Sequence, residues 1–156
     1  MRLWTCFKII IGIIFLILFS FLYSLIRIPE IKMEEYSTNN LSLQYHIDNV
    51  DLGKNSVFVS GWILAKSLKQ QPKYFQYRVI LKNNDTKKCY SPKTYFVERP
   101  DVTKFFHDGE NYNYSGFNSK VYMFMLPDAG KYEILLEYNT LTDKMILKTG
   151  KFFEKG

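Results

Sequence analysis

The chain has 156 residues, which leaves room for one compact core once the first 40 or so are set aside. Its 13 Phe and 12 Tyr favour strands, where aromatic side chains pack on a pleated surface, so an all-β domain is the expectation. A net charge of +6 without a Lys/Arg stripe, recognition helix or ribonucleoprotein-type motif argues against a nucleic-acid partner, and two cysteines argue against a disulfide-stapled fold.

Residues 1–8 read as a short cytoplasmic N-terminus carrying Arg2 and Lys8. Residues 9–26, IIIGIIFLILFSFLYSLI, hold no charge. As a helix they span roughly 27 Å, close to the hydrocarbon thickness of a bilayer, and a transmembrane signal-anchor helix is expected. A run apolar on every face does not suit a core helix in so small a domain. A cleaved secretory signal is the competing reading, because a basic start and an apolar core are both present. Against it, the run exceeds the usual apolar region of about 7 to 15 residues and no small-x-small site follows. Arg2 and Lys8 are matched by Arg27 and Lys32 across the run. The short leading tail and the large downstream region with Glu30, Glu34 and Glu35 favour the N-terminus inside and the rest outside. Cys6 and Cys89 then lie on opposite sides of the membrane, and Cys89 reads as a buried apolar residue or a free thiol.

Residues 27–40, polar and ending in turn formers, read as a tether, and 41–156 as an extracytoplasmic domain. From Leu41 the dominant period is two: Leu41, Leu43, Tyr45 and Ile47 alternate with Ser42, Gln44, His46 and Asp48. Val57 to Ala65 is apolar on both faces, as a central strand would be. Further strands are expected at Phe75 to Leu81, Tyr95 to Glu98, Val121 to Leu126, Tyr132 to Tyr138 and Met145 to Phe153. Asp101 to Phe106, following Pro100, reads as a helical turn or two. Seven short strands separated by turn signals predict an antiparallel, immunoglobulin-like β-sandwich.

The densest polar cluster is Glu98-Arg99-Pro100-Asp101-Val102, followed by His107. Glu98, Asp101 and His107 could serve as acid and base. An Arg beside an Asp across a Pro turn more often ties a loop together, with Asp101 capping the turn, so no catalytic residue is assigned. His46, His107 and Cys89 lack metal-ligand spacing, no nucleotide-binding fingerprint is present, and no metal or other cofactor is expected. Tyr112 and Tyr114 suit a sugar-stacking surface or a loop, whereas Phe117 is expected to plug the core. Sequons at Asn40, Asn84 and Asn113 matter only in a cell that glycosylates them.

Gly61-Trp62, Arg99-Pro100-Asp101-Val102, Ser115-Gly116-Phe117 and Gly130-Lys131-Tyr132 follow one another across residues 41 to 153. In that order they resemble the small β-sandwich modules attached to bacterial glycosyltransferases and other cell-surface polysaccharide proteins. The resemblance implies an accessory or binding unit, here tethered to a membrane. Physically, Trp62 would be a core anchor, Arg99 and Asp101 a loop clamp, Gly116 a point of close approach or positive φ, and Gly130 a hairpin turn.

The expected function is a non-enzymatic, membrane-anchored module at the cell envelope that binds glycan or an envelope protein through Arg99, Asp101, Tyr112 and Tyr114. A small envelope-polymer hydrolase or transferase using Glu98, Asp101 and His107 is the first alternative, and a structural subunit of a membrane complex the second.

Overall fold

A computed structural model of the chain describes residues 2–33, 42–66, 76–140 and 144–156. It begins with helix α1 (Arg2–Ile26), whose segment Phe7–Ile26 is long and apolar enough to cross a membrane and is not buried against the other described residues. The described residues then form two antiparallel sheets that face each other without closing into a barrel.

The first sheet has the order β2 (Leu43–Gly53), β3 (Ser56–Ala65), β7 (Gly116–Tyr122), β6 (Thr94–Val97). The second has the order β1 (Glu30–Ile31), β5 (Cys89–Tyr90), β4 (Gln76–Asn83), β8 (Gly130–Asn139), β9 (Lys144–Lys155). With β1 set aside, this is the A-B-E-D sheet on C′-C-F-G arrangement of immunoglobulin-like sandwiches. The fold class expected from the alternating pattern is the one observed. The strands among the described residues number nine rather than seven, because β1 and β5 are two-residue strands too short to leave a periodic signal.

Alternation decides the core. On β3, Val57, Val59, Ile63 and Ala65 face inward, and on β8 Tyr132, Ile134, Leu136 and Tyr138 meet them. The opposite face of β8 is less wet than the pattern predicts. Glu137 is buried, paired with Arg78 directly across on β4 at 2.8 Å and with Lys144 at 3.8 Å. Charge pairing rather than solvent therefore satisfies that carboxylate.

Tyr132, near the start of β8, donates its hydroxyl hydrogen to the Asp128 carbonyl at 2.8 Å and stacks on Phe153. This is the tyrosine corner of immunoglobulin-like folds. Two residues on, where antibody domains carry a cysteine, stands the fully buried Ile134. Gly130 lies at this corner between the sheets, not in a hairpin, with φ of +110° and Asp85 so close that a Cβ would collide with its carboxylate. The expected strand Val121 to Leu126 also shifts: β7 starts at Gly116, and Met123–Met125 form a 3-10 turn that carries the chain to the other sheet.

The expected tether contributes to the sandwich. Ile28 is 7% exposed within the main core, its N–H donates to the Met125 carbonyl at 3.4 Å, and Glu30–Ile31 pairs with β5. Residues 34–41 and the start of the expected first strand at Leu41 lie outside the described residues. The polar composition of 27–40 concealed the docking, since one buried isoleucine makes no pattern.

Two substitutions probe these features in the chain from Ile28 onward, with urea unfolding as the readout. Ile28→Ala is expected to cost about 2 kcal/mol, as for other large-to-small core changes, whereas a residue of a free tether would cost nothing. Tyr132→Phe is expected to cost about 1 kcal/mol through the lost hydrogen bond alone.

Candidate functional site

The strands run between two ends of the sandwich, separated by the length of β3, about 30 Å. At the end away from α1, the connection from β6 to β7 carries helix α2 (Pro100–Phe106). Pro100 occupies the first helical position, and His107 ends the helix in the left-handed conformation with φ of 49°. Asp101 stands in the first turn, while Arg99 holds the N-cap position and makes no side-chain hydrogen bond that caps the helix backbone.

α2 has a small core of its own. Leu64 and Trp62 point outward from β3, away from the main core, and Val102, Phe106 and Tyr112 close over them. Trp62 is half-buried and meets Phe106 edge-on at 5.7 Å, so it anchors this satellite cluster rather than the main core. Tyr112 is 1% exposed, packs edge-on against Phe106 and donates its hydroxyl hydrogen to Asp108 at 3.0 Å. Burial and the Asp108 carboxylate push its pKa up to about 12. Thr103 binds the same loop, with its hydroxyl bonded to Asn113 Oδ1 at 2.7 Å and accepting from the Tyr112 N–H at 2.8 Å.

Arg99 joins three elements. Its guanidinium bonds Asp101 on α2 at 2.7 and 2.9 Å and Asp48 on β2, and its N–H donates to the Asn113 carbonyl at 2.6 Å. Asp48 is the extra residue of a bulge between Ile47 and Asn49, which turns its carboxylate toward Arg99. Gly116 is required because Arg99 crosses it: a Cβ there would collide with Arg99 Cγ and the Val97 carbonyl. From the second sheet, Tyr77 reaches the Gly116 carbonyl at 2.6 Å, and Phe117 is buried in the main core beside it. The hydrogen bonds from Arg99 hold the Asp101 carboxyl below the usual carboxylate range, and those to the two carboxylates raise the arginine's pKa further.

Beside this clamp opens a cleft of about 430 Å³ lined by His46, Trp62, Asp101, Val102 and Phe105. His46 stacks on Trp62 with ring centroids 6.3 Å apart, and Phe105 is 72% exposed. Of the residues expected at a contact surface, Asp101 lines the cleft, Arg99 holds it in place, Tyr114 is 61% exposed, and Tyr112 lies inside where a ligand would not touch it. His46 and Phe105 escaped sequence reasoning. His46 sits on the polar phase of a strand, and Phe105 is one of many aromatics; only the packing of α2 across β3 brings them together. Glu98 and His107 are exposed and form no side-chain hydrogen bond or ion pair with described residues. Among those residues, no group of three or more His, Cys, Asp or Glu side chains is placed to hold a metal.

No family model matches the chain, and neither a curated protein nor a solved structure is significantly similar to it.

Asp101 has a folded-state pKa below its unfolded value, so the clamp contributes stability above the ordinary carboxylate range and loses it as pH falls through the depressed value. The gap in melting temperature between the native chain and Asp101→Asn is expected to be widest near about pH 7 and to close below about pH 4. A gap independent of pH would remove the ion pair as its cause.

Proposed function

We propose that this chain is a non-enzymatic, single-pass membrane protein of the cell envelope whose sandwich displays a glycan-binding cleft at the end away from its membrane helix. The observation that carries this reading is the cleft itself: the rings of Trp62, His46 and Phe105 border the Asp101 carboxylate in one concavity. Aromatic faces stack on the apolar faces of sugar rings, and a carboxylate accepts hydrogen bonds from their hydroxyls. Arg99 orients that carboxylate in advance, which lowers the ordering cost of binding. The resemblance to modules of polysaccharide proteins points the same way by association.

Retention of α1 as a signal-anchor is supported by the length of its apolar run and the absence of a small-x-small site after it. Arg2 and Lys8 before it and the folded region after it favour the N-terminus inside. The hydrolase or transferase alternative is weakened because Asp101 is committed to Arg99 while Glu98 and His107 share no partner with it. An envelope-protein partner is favoured by a separate observation: edge strand β6 exposes Tyr95 and Phe96, a surface suited to pairing with another chain.

Protease treatment of intact cells carrying a C-terminal tag tests the topology, with cleavage expected. A protected tag would place the domain inside and end the envelope reading. Glycan-array binding by the chain from Ile28 onward tests the cleft. Phe105→Ala is expected to weaken captured glycan about tenfold, a loss of about 1.4 kcal/mol, without lowering the melting temperature. An exposed domain that captures no glycan would move the assignment to a protein partner.

A further inference from the structure

We infer that the 3-10 turn Met123–Met125 and the aromatic pair Tyr122 and Phe124 form a second, interfacial contact with the bilayer that α1 spans. The inference rests on the membrane-span reading of α1 and adds to it a seat for the folded domain.

Covalent geometry sets the distance. Ile26 ends α1 and Ile28 is already buried in the sandwich, so the two positions lie within about 7 Å of each other. The Ile28 N–H donates to the Met125 carbonyl, which ties the 3-10 turn to the point where the chain leaves the helix. A second bond, from the Met123 N–H to the Asn55 carbonyl at 2.9 Å, ties it to the β2–β3 hairpin and makes it part of the end of the sandwich nearest the helix. The turn therefore sits at headgroup depth, because the interfacial zone begins where the apolar run stops.

The side chains suit that depth. Phe124 is 63% exposed, Tyr122 is half-exposed, and their rings stack with centroids 5.8 Å apart. Lys120 places its ammonium over the Tyr122 ring at 5.2 Å, and Arg27 places its guanidinium over Tyr23 at 4.7 Å. Aromatic rings overlain by basic head groups match the boundary between acyl chains and lipid phosphates. Leu52, on the same hairpin as Asn55, is a further exposed apolar side chain at this end of the sandwich. In water this stacked pair would be an unexplained exposed patch, and the nearby bilayer supplies its occupant.

The test uses the full chain with Cys6→Ser and Cys89→Ala, reconstituted in phosphatidylcholine vesicles containing a headgroup-nitroxide lipid. An environment-sensitive dye is attached at Phe124→Cys or, as the distal control, at Phe105→Cys. The dye at 124 is expected to shift to the blue and to be quenched more strongly than the dye at 105. Equal quenching at the two sites, with the chain resisting alkaline carbonate extraction, would overturn the interfacial seat and leave the span intact. Release of the chain by carbonate would overturn both. Should the Phe124 variant not assemble, Tyr122→Cys reports on the same ring pair with the same two outcomes.

Discussion

One residue, Arg27, separates the last turn of the apolar helix from Ile28, which is buried in the core of the sandwich. A linker that short has almost no conformational freedom to spend, so the folded region begins where the helix stops. The burial of Ile28 beside the 3-10 turn selects which end of the sandwich meets α1. Strand length then sets how far the other end projects, about 30 Å. The position of the α2 cleft relative to the helix follows from this single docked side chain.

At the far end, a second constraint converges on Gly116. The side chain of Arg99 crosses above it, the Tyr77 hydroxyl takes its carbonyl from the opposite sheet, and the Val97 carbonyl closes the remaining space. The absence of a Cβ lets an edge strand, a helix and both sheets meet there. Arg99 then holds Asp101 and Asp48 at once, and the half-buried guanidinium makes these bonds stronger than those of a free surface pair. The satellite core of Leu64, Val102 and Tyr112 supplies the apolar burial that keeps α2 flat on β3. The cleft is thus a product of stability elements: of its lining, Trp62 and Val102 belong to the satellite core, and His46, Phe105 and the Asp101 carboxylate stand at its exposed rim. Tyr112 belongs to the support and Tyr114 to the surface, although the two are nearly adjacent and alike in sequence.

The apolar helix and the two-layer β architecture were legible because both are periodic: 18 uncharged residues in a row, and apolar residues at every second position along β3, β4 and β8. The turn after Pro100 and the loop clamp of Arg99 with Asp101 were legible because they are local, two residues apart. The two-residue strands β1 and β5, the docking of Ile28 and the burial of Glu137 left no trace in the pattern. Each depends on what lies across a sheet or across the sandwich: Cys89 for Ile31, Met125 for Ile28, Arg78 for Glu137.

By itself, then, the amino-acid sequence determined the chemistry and period of each segment: one helix apolar on all faces, strands with one buried face, and a charged loop bound to itself. The tertiary structure decided which residues meet. It moved Trp62 from the main core to a satellite cluster, turned Asp48 toward Arg99 through a bulge, and set His46 and Phe105 on one cleft. The physical reason is that hydrophobic period and backbone propensity are short-range properties, whereas a binding surface is made by segments that only long-range packing brings side by side.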